Sequence, residues 1–276
     1  ENTGARIKAH SLYLRNVKQV ATGESPLNLE VVDLTLTGSG GPVYLREQNI
    51  LNLAEVNFKG DVSITLLNGD LTQSRALEGS GDWKLGSSNG KLVLNNAANN
   101  FTGTLTLNAP EVTLNNKSDI NLGTVDVNRL TIESGGSIKS GEIWVVDTAT
   151  LVSNKDISLT AENNAIEDLS LFANGGDATV FTAGPLTLRD TEAEGRLLVK
   201  ASSLVLQGAI EAEGDVELGV GDLVQMNWNS SVSSDSGNIL VKSGGSQVLG
   251  LLSAPQGNVY LCSGAAIFDA NGDGTN

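Results

Sequence analysis

Val112-Thr113-Leu114, Leu130-Thr131-Ile132, Leu151-Val152-Ser153, Leu169-Ser170-Leu171, Leu186-Thr187-Leu188 and Leu204-Val205-Leu206 form one ladder of apolar-polar-apolar triplets. Counted from their first residues, the steps are 18, 21, 18, 17 and 18. A second ladder threads between them through Val180, Leu197, Val216, Ile239 and Val259. A fixed period of this length marks a supersecondary unit stacked on itself. Alternation of apolar and polar residues within each triplet makes that unit a strand rather than a helix. The reading is an all-β fold, a right-handed parallel β-helix (β-solenoid). Units of about 20 residues in a chain of 276 give about 13–14 rungs. At about 4.8 Å per rung the expected rod is about 60–65 Å long.

Outward from the ladders, the regularity extends over residues 61–276. Val62-Ser63-Ile64-Thr65-Leu66 turns at Asn68-Gly69-Asp70, and Trp83-Lys84-Leu85 turns at Ser87-Ser88-Asn89-Gly90 before Leu92-Val93-Leu94. Residues 1–60 read as irregular N-terminal rungs of the same solenoid, with strand-like Leu12-Tyr13-Leu14, Leu34-Thr35-Leu36 and Leu51-Asn52-Leu53 unevenly spaced. Asn95-Asn96 and Asn115-Asn116 lie 20 residues apart and are expected to stack on successive rungs. Asn and Gly tolerate positive φ at sharp corners, and Asn amides can bond along a stack. Residues 160–168 lack an apolar stripe and read as a loop, and no helix is predicted.

Composition agrees with a thin aliphatic core: 32 Gly, 5 Pro and 4% aromatic residues. The net charge of −15 argues against nucleic acid or an anionic membrane as partner, since both require clustered cations. No run of 18 apolar residues occurs, so membrane insertion is not expected. A single cysteine, Cys262, excludes an intrachain disulfide and is expected to lie buried in the stack. With neither an initiating Met nor a signal segment, and with an ending in a turn, the chain reads as an excised segment of a longer protein.

Few residues carry chemistry. No Ser or Cys nucleophile motif accompanies the lone His10, and Cys262 has no His partner in the regular stack. Arg189, Asp190, Glu192, Glu194 and Arg196 cluster in what reads as a protruding loop, the best place for a polysaccharide-cleaving site. Asp269-Ala270-Asn271-Gly272-Asp273-Gly274 places oxygens at positions 1, 3 and 5 and Gly at 6, the first half of a calcium loop. Asp269, Asn271 and Asp273 are therefore the candidate metal ligands, and calcium is the one cofactor considered. Asn-Gly and Asp-Gly are also ordinary turn formers.

Ser236-Gly237-Asn238-Ile239-Leu240-Val241, Gly257-Asn258-Val259-Tyr260-Leu261 and Ala266-Ile267-Phe268-Asp269-Ala270-Asn271-Gly272-Asp273-Gly274 resemble repeats of filamentous-haemagglutinin-like giant bacterial surface proteins. Asp61-Val62-Ser63-Ile64-Thr65-Leu66-Leu67-Asn68-Gly69-Asp70 is similar to them. The resemblance covers most of residues 61–276. It implies a non-enzymatic shaft of a secreted or surface-attached bacterial adhesin, located outside the cell or on its outer surface. Its partners would be neighbouring rungs or domains of the parent protein, cell-surface glycans and other cells. The alternative expectation is a β-helix that binds or cleaves polysaccharide.

Overall fold

A computed structural model describes residues 6–270. It is all-β, with parallel strands stacked in about 13 turns about 20 residues apart, and contains no helix among the described residues. The chain divides into two compact units, residues 1–135 and 136–276.

In the second unit the strands form three columns. One runs Ile157–Leu159, Ala178–Phe181, Leu197–Ala201, Val216–Val220, Ile239–Ser243 and Val259–Ser263, each pairing in parallel with the next. A second runs from Leu186–Ala193 through Leu204–Leu206, Val224–Met226 and Gln247–Leu249 to Ile267–Asp269. The third passes through Ala209–Ala212, Ser231–Ser234 and Leu251–Ser253. The first unit is built likewise, for example through Leu27–Glu30, Val43–Glu47, Val62–Leu66 and Trp83–Ser87.

Period-two alternation selects what lies inside. Leu114, Leu130, Leu151, Leu171, Leu188 and Leu206 are all buried, stacked on the aliphatic residues of adjoining rungs. Each such burial contributes about 1.5–3 kcal/mol relative to exposure. Trp83 and Phe101 pack edge to face, with centroids 5.0 Å apart, inside the first unit. An added Cβ at Gly79 would lie 2.6 Å from the Trp83 ring, so that glycine makes room for the indole.

The register differs from the spacing-based ladders at particular steps. Leu151 stacks on Leu171 rather than Leu169, whose partners are Ala149 and Leu188. Val180 stacks on Val199 rather than Leu197. Leu186–Leu204, Leu197–Val216, Val216–Ile239 and Ile239–Val259 stack as the spacing indicates. A slip of two residues keeps every side chain on its own face, so the apolar pattern alone does not distinguish the two registers.

Buried polar side chains pin the corners. Asn99 Oδ1 accepts from Leu77 N–H at 2.9 Å, and its amide donates to the Leu94 carbonyl at 2.9 Å. Asn116 Oδ1 accepts from Phe101 N–H at 2.8 Å, and Asn164 Oδ1 accepts from Ile143 N–H at 2.9 Å. Glu47, fully buried, accepts from the N–H groups of Val31, Gln48 and Asn49. Leu92 and Leu94 pair with Val112 and Leu114 at the 20-residue offset of the two Asn pairs; Asn95 is exposed, Asn96 half-buried and Asn116 buried. The corners need an acceptor for backbone N–H groups turned inward, and a buried orphan donor would cost about 1–3 kcal/mol.

Candidate functional site

Around the outside runs a set of axial Asx ladders. At these corners, where the Asp or Asn follows a Gly except at Lys155-Asp156, the side-chain oxygen accepts the backbone N–H of the stacked corner one rung on. Asp61 accepts from Asp82 N–H at 3.0 Å, and Asp82 from Thr104 N–H at 2.8 Å. In the second unit Asp156 accepts from Asp177 at 3.0 Å and Asp177 from Arg196 at 2.8 Å. Asp215 accepts from Asn238 at 2.7 Å and Asn238 from Asn258 at 3.0 Å. The Asn238 backbone and amide hydrogen bonds hold the Asp215 carboxyl below its ordinary pKa, aided by the Arg196 charge. The preceding glycines are required because the corners stack backbone on backbone. An added Cβ at Gly81 would lie 2.2 Å from the Gly60 carbonyl carbon, and one at Gly103 2.1 Å from the Gly81 oxygen.

The charged cluster at residues 189–196 is part of this axial system. Arg189, Asp190 and Glu192 belong to strand Leu186–Ala193 rather than to a protruding loop. Arg189 Nε donates to Asp168 Oδ1 at 2.6 Å, and Nη1 donates to Gln207 Oε1 at 3.0 Å. The Asp168 hydrogen bond and charge raise the Arg189 pKa further. Asp190 accepts from Ala209 N–H at 3.1 Å, and Arg196 pairs with Glu217. Glu192 stacks in register with Glu211. The cluster thus ties successive rungs together. At the first described rung, Lys8 and Arg6 both pair with Glu30, at 2.6 and 2.9 Å, and lower its pKa, the Lys8 hydrogen bond most.

Of the metal candidates, Asp269 ends strand Ile267–Asp269 and is exposed. Asn271 and Asp273 lie outside the described residues. Among the described residues, no group of three or more His, Cys, Asp or Glu is placed to hold a metal. His10 is exposed, with Nε2 3.6 Å from Asp33. Cys262 is exposed, against the expectation of burial, because it alternates outward in register with Lys242. No described helix is long and apolar enough to cross a membrane.

A recess that sequence reasoning missed lies in the second unit. It measures about 390 Å³ and is lined by Ala165, Glu167, Gly184, Pro185, Thr187 and Val205, among others. Trp144, partly exposed, is in register with Ala165, and its indole N–H donates to the Asn163 carbonyl at 3.3 Å. The Gly184-Pro185 bend was the available signal.

The model for repeats of unknown function DUF5649 matches residues 33–108 and 109–171, together just over half of the chain. The chain belongs to this family. The two DUF5649 repeats span the regular rungs from Asp33–Ser39 onward, including the Gly60-Asp61, Gly81-Asp82 and Asn99 corners. No curated protein and no solved structure matches the chain.

Proposed function

We propose that this DUF5649 repeat protein is a structural shaft segment of a secreted or surface-attached bacterial filamentous adhesin. In this reading it displays other parts of its parent protein at a distance and supports adhesion to other cells, without catalysing a reaction. The observation that carries the reading is the fate of the exposed polar residues. The Asx corners and the ion pairs Arg189–Asp168 and Arg196–Glu217 run along the stacking direction, rung to rung. Side chains spent on axial stapling give stiffness, which a spacer needs. The resemblance of residues 61–276 to filamentous-haemagglutinin-like repeats supports the surface location.

The test is adhesion itself. Beads coated with the chain at one density should bind bacterial or host cells more than beads carrying an unrelated β-solenoid of equal charge. Equal binding would overturn the adhesive part of the reading. A second reading, polysaccharide binding, has one observation in its favour: the recess lined by Ala165, Glu167 and Pro185, whose Ala165 is in register with the partly exposed Trp144 one rung away. Quenching of tryptophan fluorescence by a neutral glycan, lost in Trp144→Ala, would favour it. Release of reducing ends or of unsaturated sugar would make the protein an enzyme.

A further inference from the structure

Four Asn-Gly pairs occur in the sequence, at Asn68, Asn89, Asn174 and Asn271, the last outside the described residues. Such a pair carries its own chemistry, because glycine has no Cβ to hinder the approach of its backbone nitrogen to the preceding side-chain carbonyl. All three described asparagines are exposed, yet the fold treats them differently. Asn89 is held at both ends of its amide: Nδ2 donates to Asn68 Oδ1 at 2.9 Å, and Oδ1 accepts from Gly69 N–H at 3.1 Å. Its own attacking group, Gly90 N–H, donates to Ser87 Oγ at 2.9 Å, and Gly90 is buried. The same ladder guards Asn68. The Gly69 nitrogen that would attack it is engaged by Asn89, and the Asn68 amide donates to the Gln48 carbonyl at 3.4 Å. Asn174 has no such guard. Its side chain makes no hydrogen bond among the described residues. Gly175 is exposed, and its N–H donates only within its own turn, to the Ala173 carbonyl at 2.9 Å.

We propose that Asn174 is a self-modification site, at which the Gly175 nitrogen converts the side-chain amide into a carboxylate. The Gly175 N–H gives its proton to hydroxide, and the nitrogen bonds to Asn174 Cγ. The Cγ–Nδ2 bond breaks, and the departing nitrogen takes a proton from water and leaves as ammonia. Water then opens the five-membered succinimide at either carbonyl, giving aspartate or isoaspartate. Hydroxide is regenerated, so the sum is one water consumed and one ammonia released, with nothing oxidised or reduced. The position is a joint between rungs. Ala173 is in register with Ser153 and Ala193, so residue 174 follows in line with Asn154 and Glu194. Asn174 N–H donates to the Ser153 carbonyl at 2.8 Å, and Gly195 N–H to the Gly176 carbonyl at 2.9 Å. Isoaspartate routes the main chain through the former side chain and lengthens this corner by one methylene. Aspartate adds a negative charge in line with Glu194. Modification therefore loosens one joint of the stack. This goes beyond the shaft reading and does not rest on it.

Peptide mapping by mass spectrometry tests the idea on the whole chain, incubated folded and, in parallel, unfolded in urea at the same mildly alkaline pH. Each folded rate is read against the same pair in the unfolded chain. Asn174 should convert first when folded, at a rate close to its unfolded one. Asn68 and Asn89 should be slowed about tenfold or more, since two or three hydrogen bonds must open before the ring can close. Isoaspartate and aspartate should both appear at position 174, separated by chromatography. Asn89→Ala releases the Gly69 nitrogen and should raise conversion at Asn68 severalfold while leaving Asn174 unchanged; melting checks that the variant remains folded. Hydrogen exchange at Gly195 should be faster in the converted fraction. Equal slowing at all three pairs, or no conversion at Asn174 in the folded chain, would overturn the proposal. So would aspartate at 174 without isoaspartate, which means direct hydrolysis with no part for Gly175. No rise at Asn68 in Asn89→Ala would overturn the guarding role of the ladder, and unchanged exchange at Gly195 the loosening of the joint. None of these results bears on bead adhesion, so the two readings fail separately.

Discussion

Asn99 and Asn89 are the same residue type on neighbouring corners, yet they do different work. Asn99 is fully buried and joins Gln73, Leu77, Leu94 and Asn115. Asn89 is exposed and joins Asn68 and Gly69 in a surface ladder, at 2.9 and 3.1 Å. Removing a buried partner leaves its donors and acceptors without water, at about 1–3 kcal/mol each. Asn99→Leu should therefore lower unfolding free energy by about 3 kcal/mol or more. Asn89→Ala should stay within about 0.5 kcal/mol, as surface changes usually do. Urea titration of both variants decides, and equal effects would mean that the interior amide is replaceable. Asp215 carries the pH argument. Its folded pKa lies below the ordinary value because Asn238 donates to it. Its contribution is therefore present above the unfolded pKa of about 3.9 and is lost as pH falls through the lower folded value. Asp215→Asn keeps an acceptor and removes the titration. The melting difference between wild type and Asp215→Asn should be constant at neutral pH and change only below about pH 4; a change near neutrality would refute the assignment.

At the scale of the strand, the inward face was legible in the sequence, while the register was legible only in part. Leu171, Leu188 and Leu206 point inward as alternation requires, because a one-residue slip would turn each to solvent. Val180 and Leu151 show what alternation leaves open, since a two-residue slip costs nothing on the apolar count. Nor does alternation announce the bulge between Leu169 and Leu171, which shifts the register against the next rung. The internal asparagines were illegible for a related reason: Asn99 and Asn96 share a turn, and only the backbone path decides which is enclosed. The Gly-Asp corners were readable, since Gly60 and Gly81 are 21 residues apart, each followed by Asp. Of the candidate site, the residues of the 189–196 cluster were legible by type, but their use as axial ties depended on register. Two predictions belong here. Leu171→Asp buries an unpaired charge and should cost several kcal/mol, seen as a collapsed melting transition. Gly81→Ala should destabilise clearly because its Cβ meets backbone, which cannot swing aside. Gly184→Ala, with no atom within 4 Å of the added carbon, should leave the melting temperature within a degree or two of wild type.

At the scale of the whole molecule, a rung touches mainly its two neighbours, so stability is approximately a sum of nearest-neighbour terms. Protection against hydrogen exchange should then be graded within each unit. In the second unit Leu197–Ala201 and Val216–Val220 have buried aliphatic residues above and below, whereas Val259–Ser263 has them on one side only among the described residues. In the first, Val62–Leu66 and Trp83–Ser87 are enclosed, and Arg6–Lys8 is an edge among the described residues. An interior amide opens only when several rungs separate, while an edge amide opens by fraying of one rung, with a free energy nearer zero. Mass-resolved exchange on the dilute chain should therefore show Val259–Ser263 and Arg6–Lys8 labelled first and Leu197–Ala201 among the last. A flat profile would show that each unit melts as one cooperative body, and the nearest-neighbour description would fail.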